Sequence, residues 1–188
     1  PSGINNGVTI GQDGAGNHYA GIQNLSGSAN NITIGQSGAG NHTLAVTGGQ
    51  GTTNSGNTIN STQSGNSSTA TNCNYTVVNG NSNTVNLTQT STGGGKGAFV
   101  TISDNSNTLK IQQKDTGSHY AEVNLSGGNK TVGIVQSGSS GHMASVTMSG
   151  YTQSLDLQQT GSTQQFYSIN TNCATVGGCS AITVRQGN

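Results

Sequence analysis

A parallel two-sheet β-solenoid of about eight rungs is the all-β fold class this sequence predicts. Three observations predict it: a segment that repeats almost letter for letter, glutamines that return at near-constant spacing, and short stretches in which apolar and polar residues alternate. The repeated segment is Asn6-Gly7-Val8-Thr9-Ile10-Gly11-Gln12-Asp13-Gly14-Ala15-Gly16-Asn17-His18, which returns as Asn30-Asn31-Ile32-Thr33-Ile34-Gly35-Gln36-Ser37-Gly38-Ala39-Gly40-Asn41-His42. Weaker copies end at Gln63, Gln89, Gln113, Gln136, Gln159 and Gln186, at spacings of 23 to 27 residues. A period in that range is the signature of a repeat architecture.

The first half of each rung reads as a half-buried strand. Val8/Ile10, Ile32/Ile34, Val85/Leu87, Leu109/Ile111, Val132/Ile134, Leu155/Leu157 and Ile182/Val184 are each separated by one residue, the period of a strand with one buried face. The third rung weakens the pattern, with Ile59 followed by Ser61. A second alternating segment follows in each rung, seen as Ala20/Ile22, Leu44/Val46, Val100/Ile102, Ala121/Val123, Ala144/Val146 and Tyr167/Ile169. Between the halves, Gly14, Gly38, Gly65, Gly138 and Gly161 stand two residues after the glutamine, where a turn with positive φ is expected.

One strand–turn–strand rung is too small to persist alone in water, so neighbouring rungs must stack. Parallel, in-register stacking at about 4.8 Å per rung pairs each strand with those above and below it and joins the apolar pairs into one narrow core. Such a core suits a chain that is only 28% hydrophobic, with 31 Gly and one Pro. Identical side chains then fall into columns. The eight glutamines form one, and Asn6, Asn30, Asn57, Asn83 and Asn107, each six residues before its glutamine, form another, continued by Lys130, Gln153 and Ser180. Stacked amides hydrogen-bond to each other, which turns buried polar groups into ladders.

Residues 6–188 read as a single repeat domain and residues 1–5 as a leader. First strands number eight and second strands seven, because Gln186-Gly187-Asn188 follows a first strand. Ser2-Gly3-Ile4-Asn5 resembles the tail of a second strand such as Ser168-Ile169-Asn170, so the leader of one subunit is expected to complete the last rung of the subunit before it. The sequence opens at Pro1 without an apolar signal stretch, and any targeting segment is expected to have been removed.

Five basic and five acidic residues leave a formal net charge of zero. No basic patch with interleaved aromatics points to nucleic acid, and no apolar run approaches the roughly 20 residues of a membrane span. Asp13, Asp104, Asp115, Glu122 and Asp156 share no rung position, so paired acid–base catalysis is not indicated, and no catalytic residue or cofactor is expected. His18, His42, His119 and His142 open second strands and are expected to be solvated turn-edge residues; without a recurring carboxylate or thiol beside them, no metal site is expected. Cys173 and Cys179 flank a Gly-containing loop that can close as a local disulfide, whereas Cys73, four rungs away, lies too far to join them and is expected to be buried as a small apolar side chain, with a free thiol open to an inter-fibre link as the alternative. Asn-x-Ser/Thr triplets such as Asn31-Ile32-Thr33 fall inside expected strands and are what this composition produces by chance.

A polar residue, five positions, Gln, then x-Gly-x-Gly-Asn with Ala soon after resembles the repeat of curlins, the subunits of bacterial curli fibres. Gln12-Asp13-Gly14-Ala15-Gly16-Asn17 and Gln36-Ser37-Gly38-Ala39-Gly40-Asn41 match best, and the likeness extends at reduced strictness over most of the chain. It departs where curlins usually carry a second glutamine: Leu25-Ser26-Gly27, Leu125-Ser126-Gly127 and Met148-Ser149-Gly150 stand there instead. The resemblance implies a functional-amyloid fibre on the bacterial cell surface, built by end-to-end homopolymerisation, with a role in biofilm matrix and adhesion. It also implies a nucleator subunit and an outer-membrane secretion channel as partners. A monomeric adhesin stalk or phage fibre segment is the alternative. An ice-binding solenoid fits poorly, because the outward column Thr9, Thr33, Asn60, Asn86, Lys110, Gly133, Asp156 and Thr183 is not a threonine ladder, and scattered charges disfavour a sugar-cleaving β-helix.

Overall fold

The computed structural model describes residues 3–48 and 54–187. Fifteen strands, numbered in chain order, alternate between two parallel sheets. The first sheet stacks β1 (Gly7–Asp13), β3 (Asn31–Gly38), β5 (Thr58–Gly65), β7 (Thr84–Ser91), β9 (Thr108–Gln113), β11 (Lys130–Ser137), β13 (Gln153–Thr160) and β15 (Ile182–Gln186). The second stacks β2 (His18–Gln23), β4 (Asn41–Gly48), β6 (Thr71–Asn79), β8 (Lys96–Ser103), β10 (His119–Leu125), β12 (His142–Gly150) and β14 (Gln165–Cys173). The chain is therefore an all-β solenoid of about seven turns, as its repeat predicts.

Register follows the glutamines. Gln12 pairs with Gln36, Gln36 with Gln63, and so on to Gln159 with Gln186, so insertions are absorbed in the arches between strands. The alternating apolar residues point between the sheets: Ile32, Leu44, Val100, Leu109, Val123 and Leu157 are wholly buried. At the outermost rungs the same core positions lose their cover. Val8 and Ile10 are 41% and 44% exposed, and Ile182, Val184, Tyr167 and Ile169 are only partly buried.

The third rung departs from the expected pattern. In β6 the inward positions are Asn72, Asn74, Thr76 and Val78, and Asn74 donates to the Ser61 hydroxyl at 3.4 Å while Thr76 donates to Asn74 at 3.1 Å. Cys73 alternates with these polar residues and so faces outward; it is exposed, not buried.

Gly14, Gly38, Gly138 and Gly161 have φ between 99° and 127°, as turn glycines. Gly65 does not: it is the last residue of β5, without positive φ, and is confined instead by close approach, since a Cβ there would stand 2.7 Å from that of Ala70. Gly3–Asn5 form a bend, not a strand. The Ile4 carbonyl accepts from Ala29 N at 3.0 Å, which places these leader residues over the chain's own arch at 27–29; Pro1 and Ser2 lie outside the described residues.

Candidate functional site: amide ladders and open rungs

The glutamine column is one unbroken relay. Gln12 Nε2 donates to Gln36 Oε1 at 2.7 Å, Gln36 to Gln63 at 2.7 Å, Gln63 to Gln89 at 2.8 Å, Gln89 to Gln113 at 2.9 Å, Gln113 to Gln136 at 2.8 Å, Gln136 to Gln159 at 2.9 Å and Gln159 to Gln186 at 2.8 Å. The second amide hydrogen crosses the core to a carbonyl of the facing sheet, as from Gln36 to Tyr19 O at 2.9 Å and from Gln113 to Gly97 O at 2.9 Å. Each interior glutamine thus ties its own rung, the next rung and the opposite sheet together.

The asparagine column runs the other way. Asn30 and Asn57 Nδ2 donate back to Asn6 and Asn30 Oδ1, both at 3.1 Å, and Asn107 donates to Asn83 at 3.1 Å. Main-chain amides join in, with Asn83 N donating to Asn57 Oδ1 at 2.9 Å. The relay ends at Lys130, whose backbone amide donates to Asn107 Oδ1 at 3.0 Å but whose side chain has no acceptor to offer the next rung.

Lys130 is wholly buried, with its ammonium donating to the carbonyls of Tyr151, at 2.6 Å, and Gly150. Burial lowers its pKa, with the Asp104 carboxylate opposing. Lys96 repeats the arrangement at the opposite arch, donating to Gly94 O, Asp115 O and Gly117 O at 3.2, 2.9 and 2.6 Å. Burial pushes Lys96 down to about 8, again against an opposing carboxylate, Asp115. Two of the scattered charges are therefore interior struts that satisfy arch carbonyls.

Lys96 belongs to a third column that sequence reasoning missed. His18, His42, Asn72, Lys96, His119, His142 and Gln165 occupy one register position, and all are donors to arch carbonyls. His42 Nε2 bonds Ser37 O at 2.9 Å, His119 bonds Lys114 O at 2.8 Å, His142 bonds Ser137 O at 3.0 Å and Gln165 bonds Thr160 O at 3.0 Å. His42, His119 and His142 are buried, contrary to the solvated turn-edge position expected for them; the partly buried His18 stacks on His42 with ring centroids 4.9 Å apart. They turn inward because the main-chain carbonyl after each glutamine needs a donor inside the arch.

This column makes the fold acid-sensitive. Desolvation by burial pushes the His119 imidazole down to about 4; the bond to Lys114 O opposes this, the Lys96 and His142 charges add to it, and Asp115 opposes. The folded chain therefore holds His119 neutral, whereas the unfolded chain takes up a proton near pH 6.5. Stability is full above about pH 6.5 and falls as pH drops from there to about 4, by about 2 kcal/mol after allowance for solvent screening. Denaturant unfolding at pH 7 and pH 4 checks this, and His119→Gln, which copies the Gln165 arrangement, should flatten the difference.

Cys173 and Cys179 are joined in a disulfide, and Asp156 pairs with Arg185 at 2.6 Å on the exposed first-sheet face. Among the described residues, no group of three His, Cys, Asp or Glu side chains is placed to hold a metal ion. What the arrangement presents is a template. Among the described residues, no strand pairs with the outer edge of β1 or of β15, where Gln12 offers its carbonyl oxygen on one side and Gln186 its amide N–H on the other. No family model, curated protein or solved structure matches this chain.

Proposed function

We propose that the chain is a structural subunit that assembles end to end into an extracellular, curli-like fibre of the functional-amyloid kind. The observation that carries this reading is the complementarity of the outermost rungs. β1 and β15 lie in the same register of the same sheet, with half-exposed core pairs Val8/Ile10 and Ile182/Val184. Within the relay Gln12 donates and Gln186 accepts, so the open ends present Gln12 Oε1 as an acceptor and Gln186 Nε2 as a donor, and a second copy extends the relay only head to tail. Unpaired parallel edges over apolar ends recruit further strands.

By its resemblance to curlins, such a fibre would stand on the bacterial cell surface in a matrix and adhesion role, with a nucleator and a secretion channel as partners. A disulfide at the last arch suits an oxidising exterior. Purified protein at micromolar concentration is expected to form filaments that bind thioflavin T, with growth accelerated by filament fragments. Ile10→Lys, which places a charge on the open rung, should stop growth while leaving the far rungs folded. Wild-type protein that remains monomeric would favour a stalk over a fibre subunit.

A further inference from the structure

The second sheet's outer face differs from the first in kind. Its strands expose aromatic and apolar side chains, among them Tyr75 and Phe99, stacked at 5.2 Å between ring centroids, and its only charge among the described residues is Glu122. The first sheet's outer face carries Lys110, Asp156 and Arg185 among threonines and asparagines.

Two outward columns cross this apolar face two residues apart, and their sizes are complementary. Where one column has Cys73 and Gly97, the other has Tyr75 and Phe99. Further along the order reverses, with Met143 and Phe166 in the first column and Ser145 and Ser168 in the second. At the far end Tyr19 stands beside Gly21. Five of the seven rungs therefore offer one large and one small side chain.

From this we infer that the face binds the same face of a second copy, related by a two-fold axis running along the stack between the two columns. That operation sets each first-column residue opposite the second-column residue of the same rung. Phe99 meets Gly97 of the second copy, Phe166 meets Ser168, and Met143 meets Ser145, so that the surfaces interdigitate as a dry zipper. The fifth rung sets the Tyr120 hydroxyl against the second copy's Glu122, a donor for the one carboxylate the interface would cover. Tyr19 and Tyr120 now lie over Gly21 and Gly97 and swing out to admit the second copy.

Seven strands about 4.8 Å apart and the two paired columns, with positions about 6.6 Å apart, make a planar footprint of roughly 440 Å² per copy, about 900 Å² in all, at the low end of protein interfaces. The two-fold preserves stack direction, so the interface lengthens with every rung added. It does not depend on end-to-end growth, because a single pair of chains satisfies it.

The test measures mass per length of filaments by scanning transmission electron microscopy, or the mass of the soluble species by sedimentation if the protein does not polymerise. Wild-type protein is expected at twice the value of a single stack. Ser145→Lys with Ser168→Lys should return it to one stack, whereas Thr88→Lys on the opposite face should leave it doubled. Cys73, at the covered surface, should react with a maleimide about 10-fold more slowly in the pair than in the double-lysine variant. Single-stack mass in the wild type, doubled mass surviving in the double-lysine variant, or equal Cys73 reactivity would overturn the inference.

Discussion

Gly138→Ala is expected to lower stability by about 4 kcal/mol, the sum of a strained backbone and a main-chain collision. Gly138 has φ of 127°, and a methyl group there would stand 2.0 Å from the carbonyl oxygen of Gly161, directly beneath it in the next rung. The obstacle is backbone in an in-register stack, so neither partner can rotate away; the two rungs must part, and the bond from Gly161 N to Ser137 O at 3.1 Å goes with them. Gly35→Ala is the matched control. Nothing lies within 4 Å of the added methyl and the residue sits in a strand, so stability should hold or rise by up to about 1 kcal/mol through the unfolded chain's lost freedom. Guanidinium unfolding of the two variants beside the wild type reads both effects.

Gln89→Leu comes next in size. It keeps side-chain bulk but removes three partners at once: Gln63 Nε2 loses its acceptor, Gln113 Oε1 loses its donor, and the carbonyl of Cys73 loses a bond of 3.2 Å. All lie in a wholly buried column, so the expected loss is about 3 kcal/mol. Gln12→Leu, at the exposed end of the same relay, loses only the bond to Gln36 and should cost less than about 1 kcal/mol. A similar loss at both positions would mean that the relay does not carry the stability ascribed to it. Hydrogen exchange, resolved by rung, should place the Gln89→Leu opening at the third to fifth rungs, since solenoid rungs contact only their neighbours.

The architecture was legible because two signals of different physical origin coincide. Period-2 alternation marks the strands, and the glutamine spacing marks the register, so Ile32/Ile34 and Leu155/Leu157 could be placed on one sheet although they lie five rungs apart. β6 was not legible, because its alternation is inverted: Asn72, Asn74 and Thr76 point inward while Cys73, Tyr75 and Val77 point outward. Hydrophobicity alone selects the wrong face there and would turn Cys73 toward the core. The arch donors were hidden for a different reason. His18, His42, His119, His142 and Gln165 all stand six residues after a glutamine, but insertions shift Asn72 and Lys96 off that count. The shared property is a side-chain N–H donor, not a residue type, and that property would have found the column. The outward size complementarity of the second sheet needed the register of all seven strands before it could be read.

Cryo-electron microscopy of assembled filaments, at a resolution that separates rungs, tests end-to-end assembly most directly. The expected map shows rungs about 4.8 Å apart, with β1 of one subunit continuing the first sheet past β15 of the last and the glutamine column unbroken from Gln186 to the next Gln12. A map in which subunits meet side on, with the glutamine column ending inside each one, would contradict it.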